Sequence, residues 1–342
     1  MLQVSFYSYK GGAGRSTTSW NTIQRLVNLM KPSVKNPFVI VDTDTESAGS
    51  TFLYKARDIF FNNTGKKKIS IQRRIKNGEN DYMDASPDVK KEFFNGMHPI
   101  GTYFGLPEEE EKAVLLIGAD LDKNSRMDMR DLAKDKDGRM LENFPKIRES
   151  CKDCDAMALF FDTPSGTQDL ARLSIQESDI IVCCMRPTYQ FREGTKGQLI
   201  NFVKDDLNLK IKRKYILTPT TICVDKEQLV KYRGEQRDYP QQANDDIKMA
   251  FDTERLEEGD NLKQAFRENV LLDMLEPTPV NIKKFSVSED DDSVFGIPEI
   301  KRFKWFEECL GRLSEGDLNN NDKMGLNRYE YLAQTICKYG KV

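Results

Sequence analysis

A glycine-rich loop close to the start of the chain has the residue types that bind phosphate. Its sequence is Lys10-Gly11-Gly12-Ala13-Gly14-Arg15-Ser16-Thr17. Glycines permit left-handed backbone dihedrals and let the main chain approach a ligand closely. Successive backbone N–H groups in such a loop can surround an anionic phosphate, and a helix that begins at its end adds partial positive charge. The loop therefore predicts a site for a phosphorylated ligand.

Three carboxylates form a second candidate group. Asp42 and Asp162 each end a short apolar run, and Asp44 comes two residues after Asp42. Ligands of α/β proteins bind where the carboxyl ends of parallel strands meet. A single aspartate at a strand end is more often a turn or helix cap than a functional residue. Three of them in a chain with a phosphate-binding loop favour a functional site over caps.

Strands and helices that would position these residues alternate along the chain. Trp20, Ile23, Val27 and Met30 share one face of a predicted helix directly after the loop. Unbroken apolar runs predict buried strands at 2–7, 38–42, 113–118, 157–162, 180–185, 214–217 and 270–272. This pattern predicts an α/β fold with a mostly parallel, twisted sheet flanked by helices on both faces.

The remaining segments are more polar. Residues 56–112 predict an irregular insertion, and residues 225–342 predict helical additions with Tyr239-Pro240 as a breaker. The last two helices are expected at about 298–313 and 328–339. Charge runs at 66–68, 73–76 and 108–111 are expected to be solvated faces. Because no linker composition interrupts the chain, we predict a single domain over residues 1–342.

Composition limits the possible classes of protein. The formal net charge of −3 shows no overall basic excess, and no apolar run reaches the length of a membrane span. The chain starts with a strand-like run rather than a signal peptide, so a cytoplasmic location without membrane attachment is expected. Seven cysteines without a regular framework indicate reduced thiols. His98 is the only histidine, which disfavours a histidine base or a histidine-rich metal site.

The loop departs from the ordinary pattern G-x-x-x-x-G-K-[ST] at Tyr9 and Arg15. A lysine before Gly-Gly resembles the variant loop K-G-G-x-G-[KR]-[ST] of the ParA/MinD family of ATPases, and Arg15 matches its arginine-containing subgroup. The segment Phe160-Phe161-Asp162-Thr163-Pro164-Ser165-Gly166 resembles the Walker B aspartate and switch of that family. Asp42-Thr43-Asp44 resembles its D-x-D motif.

This resemblance implies a homodimer that encloses ATP and Mg²⁺ between its subunits. Lys10 would reach the nucleotide of the other subunit, Asp44 would position the attacking water, and Arg15 would stand at the position of the phosphate-binding lysine. The implied magnesium residues are Ser16, Asp42 and Asp162. The implied nucleotide-binding residues are Gly11, Gly12, Ala13, Gly14, Arg15, Ser16 and Thr17 in the loop, with Thr218 and Pro219 near the adenine.

The function implied by the resemblance is a slow ATPase that acts as a dimerisation switch, as in ParA-type plasmid partition. The ATP dimer would bind DNA nonspecifically and work with a ParB-like or other adaptor protein. Basic residues that could contact DNA are Lys210, Lys212, Arg213 and Lys214, although solvated strand-edge charges are the commoner explanation.

Other functions stay open at this stage. One is a regulatory ATPase that acts on a protein partner without DNA. Another is a nucleotide-binding protein with little turnover, because the planar guanidinium of Arg15 differs from the compact charge of lysine. A third is an electron-transfer ATPase that shares an iron–sulfur cluster through Cys151 and Cys154, for which packing cysteines are the commoner explanation.

Overall fold

The computed structural model describes residues 1–53, 70–77, 94, 96–120, 138–224, 239–285, 295–304 and 310–341. These residues form two compact units. The first comprises Met1–Tyr7 and Val27–Ser178, and the second comprises Ser8–Leu26 and Asp179–Val342. Within the described ranges, no helix is both long and apolar enough to cross a membrane.

Strands of the first unit pair in the order β3-β4-β2-β5-β1. Their bounds are Leu2–Tyr7 (β1), Phe38–Asp42 (β2), His98–Pro99 (β3), Val114–Ile117 (β4) and Ala158–Asp162 (β5). β4, β2, β5 and β1 are parallel to their neighbours, and the short β3 is antiparallel to β4. Every residue of β2, β4 and β5 is buried, as expected for unbroken apolar runs in a parallel sheet.

Helices of the first unit cover one face of these strands. They are α2 (Gly49–Leu53), α3 (Ile71–Asn77), α4 (Arg139–Asp153) and α5 (Asp169–Gln176). Alternate strand residues Val39, Val41, Leu115, Ile117, Leu159 and Phe161 join a core cluster with residues of α3 and α4. Phe144 of α4 stacks on Phe161 with ring centroids 5.7 Å apart.

The second unit has three parallel strands, β6 (Ile180–Met185), β7 (Lys214–Pro219) and β8 (Val270–Leu271). Its helices are α6 (Tyr189–Leu209), α7 (Tyr239–Ala250), α8 (Asp260–Asn269) and α9 (Asn320–Gly340). Helix α1 (Arg15–Met30) begins in this unit, and its last turn belongs to the first.

All seven predicted strands are present, and the predicted α/β class with a mostly parallel sheet is confirmed. Tyr239-Pro240 begins α7, because proline is tolerated in the first helical turn. Residues 225–238, on the other side of the predicted break, lie outside the described ranges. The helix expected at about 298–313 is present only as 3₁₀ segments at Lys301–Lys304 and Leu310–Arg312, and residues 305–309 lie outside the described ranges. The prediction of a single domain stays a prediction.

Parts of the predicted polar insertion are ordered elements. These are β3, α3 and two 3₁₀ segments, Gly101–Phe104 and Glu108–Ala113, the second of which carries the exposed acidic run. Arg74 is only 1% exposed, so the prediction of a solvated face is wrong for this residue. Residues 66–68 lie outside the described ranges.

Candidate functional site

The glycine-rich loop lies between β1 and α1 and has the backbone of an anion-binding loop. Gly12 and Gly14 have φ values of 81° and 68°, which side-chain-bearing residues rarely adopt. Thr18 N donates to Gly14 O at 2.9 Å, so the first helical hydrogen bond closes directly after the loop. The N–H groups of the first helical turn have no partner within their own helix, and the helix end favours negative charge. This geometry suits a phosphate.

Thr220, which was not among the predicted site residues, supports the loop through a hydrogen bond to its backbone. Thr220 is buried and its Oγ1 donates to Ala13 O at 2.6 Å. Its backbone N donates to Met185 O at the end of β6 at 2.8 Å. Thr220, which directly follows β7, therefore connects the loop to the ends of β6 and β7. A hydroxyl directly after the apolar run of β7 was the only signal in the sequence.

Helix α6 contacts the outer half of the loop. The ring of Tyr9 lies against Gly194, so closely that a methyl group added to Gly194 would lie 2.1 Å from Tyr9 Cε1. Lys10 is exposed, and its Nζ donates to Gln190 Oε1 at 3.1 Å. Neither Gly194 nor Gln190 was a predicted site residue. Gly194 and Gln190 hold the side chains of Tyr9, just before the loop, and Lys10, its first residue.

Other predicted nucleotide-binding residues lie in the same unit. Arg15, Ser16 and Thr17 are partly exposed in the first turn of α1. Thr218 is buried in β7, where its Oγ1 donates to Ile216 O at 3.2 Å. Pro219 O accepts a hydrogen bond from Ile297 N at 2.7 Å. The assignment of Thr218 and Pro219 to the adenine stays a prediction.

In the first unit, two of the predicted carboxylates lie side by side. Asp42 ends β2, Asp162 ends β5, and the two residues are partners in the parallel register. Both are buried. Asp42 Oδ2 accepts hydrogen bonds from Thr51 N and Thr51 Oγ1, each at 2.7 Å, and Asp162 Oδ2 accepts one from Ser50 Oγ at 2.6 Å. The short helix α2 thus supplies the donors for both carboxylates.

The third carboxylate, Asp44, closes a tight turn after β2. Its Oδ1 accepts from Ser47 N at 3.1 Å and its Oδ2 from Ser47 Oγ at 2.6 Å. Asp44 N donates to Asp42 Oδ1 at 3.2 Å, so the two aspartates of the D-x-D motif are connected directly. The turn brings all three carboxylates into one hydrogen-bonded group with α2.

The electrostatics of this group suit a divalent cation. Burial and the neighbouring charge of Asp162 raise the pKa of Asp42 from 3.8 to about 7, while the hydrogen bonds from Thr51 act in the opposite direction. A bound cation would relieve this repulsion. Among the described residues, no group of three or more acidic, cysteine or histidine side chains could hold a metal ion. Mg²⁺ needs fewer, because it keeps several waters and takes one or two carboxylates together with phosphate oxygens.

The cysteine pair considered for a cluster lies in the core. Cys151 and Cys154 are 0% and 4% exposed, at the end of α4, and both belong to the core cluster with Phe144 and Phe161. This burial fits packing cysteines. Cys183 and Cys184 are likewise fully buried in β6.

Two of the four basic residues considered for DNA are bonded within the chain. Arg213 is buried, and its Nη1 donates to Asp206, which also accepts a hydrogen bond from Tyr215 Oη at 2.7 Å. Lys214 Nζ donates to Glu268 O at 2.7 Å. Lys210 is the left-handed cap residue of α6, and Lys212 is exposed.

The architecture defines a class, α/β proteins with a glycine-rich loop between the first strand and the first helix, and solved structures share the fold. MinD, the septum site-determining protein, complexed with Mg-ADP from Pyrococcus horikoshii OT3, is 14% identical over 99% of this chain and 97% of its own, with a TM-score of 0.53. A chain of the MinC:MinD cell division protein complex of Aquifex aeolicus is 12% identical over 97% of this chain and 96% of its own, with a TM-score of 0.51. Likeness at this identity establishes the fold. No protein-family model and no curated protein matches the sequence.

Substitution of Gly194 should disturb the loop through Tyr9. Gly194→Ala places a methyl group inside the Tyr9 ring, so we expect the free energy of unfolding to fall by about 1–3 kcal/mol. We also expect weaker ATP binding by calorimetric titration. Gly197→Ala is the matched control in α6, because its methyl group would meet no atom within 4 Å. Equal stability and equal ATP affinity of the two alanine variants would contradict the packing argument.

The buried Asp42 carboxyl should make the magnesium-free protein less stable as the pH rises. Its folded-state pKa of about 7 lies above the ordinary 3.8, so the folded state binds this proton more tightly than the unfolded state does. The free energy of unfolding therefore decreases between these two pH values. The measurement is the urea midpoint at about pH 5 and about pH 8, for the unaltered protein and Asp42→Asn.

The quantity compared is the change of the urea midpoint with pH, and not the midpoint itself. Asp42→Asn also alters hydrogen bonds, and this lowers its stability at every pH. Contributions of titrating groups far from Asp42 cancel between the two proteins. We expect a clearly smaller pH dependence in Asp42→Asn. The same dependence in both proteins would show that Asp42 does not titrate in this range.

Proposed function

We propose that this chain is a magnesium-dependent ATPase that acts as a dimerisation switch, similar to ParA-type partition ATPases. The observation that carries the proposal is the loop with left-handed Gly12 and Gly14 at the start of α1, in a chain whose β2 and β5 end in paired carboxylates. A loop of this shape binds phosphate, and paired carboxylates bind a magnesium ion or its waters. The fold shared with MinD complexed with Mg-ADP supports the same ligand class.

In this proposal, each group of residues has a distinct role. Backbone N–H groups of residues 11–16 surround the phosphates, and the guanidinium of Arg15 binds them as a planar fork. Ser16, Asp42 and Asp162 would hold Mg²⁺ directly or through water, and the ion would supply neutralisation of phosphate charge. Asp44 orients the attacking water. Thr17, Thr218 and Pro219 complete the nucleotide contacts.

We expect slow turnover. Phosphoryl transfer depends on positioning and charge neutralisation, and a guanidinium places its charge differently from a lysine ammonium. A slow reaction suits a switch, because the bound state must persist long enough to act on a partner.

Lys10 would connect nucleotide binding to dimerisation. Its side chain is exposed and its ammonium is bonded to Gln190 on α6 of its own chain. An exposed neutral partner contributes little binding energy, so Lys10 can exchange this hydrogen bond for a phosphate oxygen of the other subunit. Two subunits would then each complete the nucleotide site of the other.

A second candidate is a regulatory ATPase that acts on a protein partner without DNA. It is favoured by the basic residues near β7, because Arg213 is buried against Asp206 and Lys214 is bonded to the main chain at Glu268. Fewer cations are then available there for phosphate contacts with DNA. The MinC:MinD complex is an example in which a protein of this fold is bound to a protein partner.

Removal of the Lys10 ammonium should separate binding from dimerisation. We expect Lys10→Ala to bind ATP with Mg²⁺ almost as well as the unaltered protein, but to stay monomeric on a sizing column with ATP. Lys35→Ala, at an exposed residue, is the control and should dimerise normally. An ATP-dependent dimer of Lys10→Ala would refute the role of Lys10 at the other subunit's nucleotide.

DNA retention distinguishes the two candidate functions. A partition-type protein should be retained on DNA with ATP and not without it, and retention should fall steeply when the salt concentration is raised about fourfold. A regulatory ATPase should dimerise with ATP and show no ATP-dependent retention at either salt concentration. The measurement is a filter or gel assay on one preparation whose dimerisation has already been checked.

A further inference from the structure

Arg186, the residue that follows β6, brings a further positive charge to the glycine-rich loop. A methyl group placed on Gly12 would lie 3.9 Å from Arg186 Nη2, so the guanidinium lies directly over this glycine. Gly12 itself is exposed and in the left-handed conformation. Arg186 is not among the site residues predicted from the sequence.

The main chain next to Arg186 is bonded to the same threonine that supports the loop. Thr220 N donates to the carbonyl of Met185, the residue before Arg186, at 2.8 Å. Thr220 Oγ1 donates to the carbonyl of Ala13, the residue after Gly12, at 2.6 Å. Both main-chain segments are therefore bonded to one buried side chain. The main chain that carries Arg186 is therefore held beside the loop.

The charge of Arg186 is available to a ligand. Its side chain is exposed, and among the described residues no carboxylate forms an ion pair with it. Arg192, the next arginine along the chain, instead pairs with Glu193 and Asp246. An unneutralised guanidinium over an anion-binding loop is suited to a phosphate oxygen, which it can bind through two N–H groups.

We propose that Arg186 is a further phosphate-binding residue of the nucleotide site, contacting the phosphate chain from outside the loop. This inference rests on the proposed ATP binding. The contribution of Arg186 should increase with the charge of the phosphate chain, so ATP should depend on it more than AMP does. The residue gives the loop a second guanidinium in addition to Arg15.

The test is calorimetric titration of ATP and AMP against Arg186→Gln at two ionic strengths. We expect about a tenfold loss of ATP affinity, a smaller loss for AMP and a weaker salt dependence than in the unaltered protein. Arg312→Gln is the control, because it removes an exposed arginine charge of the same unit and should leave all three quantities unchanged. Arg186→Lys keeps the charge without the fork and should recover part of the affinity.

The outcomes separate this inference from the proposed function. If the unaltered protein binds ATP and Arg186→Gln binds it within twofold with the same salt dependence, the role of Arg186 is wrong and the proposed function stands. If the unaltered protein does not bind ATP, both are overturned. Equal unfolding midpoints of Arg186→Gln and the unaltered protein would show that a loss of affinity does not come from misfolding.

Discussion

The in-register pairing of β2 with β5 sets two carboxylates side by side in a buried environment, and much of the first unit follows from this constraint. Like charges at the ends of adjacent strands repel each other strongly where the dielectric constant is low. Ser50 and Thr51 at the start of α2 offset the repulsion with hydrogen bonds to Asp162 and Asp42. Thr43 adds another connection, because its N and Oγ1 both donate to Asp162 O at 3.0 Å. The polar groups are satisfied, but the excess negative charge remains, which is the condition that a cation relieves.

In the second unit, the main constraint is the support of the glycine-rich loop, whose N–H groups must stay available to a ligand. Three contacts fix it: Tyr9 packs on Gly194, Lys10 bonds to Gln190, and the carbonyl of Ala13 accepts from Thr220. Each contact uses a side chain or a carbonyl oxygen, and none uses a loop N–H group. The loop is thus positioned by groups that do not compete with phosphate for the donors that bind it. This preorganisation reduces the entropy lost when a ligand orders the loop.

Much of the fold could be predicted from the sequence, because buried parallel strands have unbroken apolar runs and the phosphate loop has glycines at fixed spacing. The predictions that were wrong or incomplete have physical causes. Arg74 was expected in solvent because charge runs usually are, yet packing of α3 buries it. The two-residue β3 is too short to have a pattern. Helix α9 begins at Asn320, earlier than predicted. Its start is a capping box formed by Asn319 and Asp322, a pair that is visible in the sequence but was not used in the prediction.

The contacts of the candidate site were harder to predict from the sequence than the strands were. The loop and its carboxylates were identified from local motifs, whereas Thr220, Gly194, Gln190 and Arg186 lie far along the chain from the residues they contact. Their residue types carry no signal by themselves: a threonine after a strand or a glycine in a helix has many ordinary explanations. Only the fold makes them specific, because β6, β7 and α6 end or begin beside the loop. The motif therefore predicts which ligand class binds, and the supporting residues explain how the loop keeps the shape that binding requires.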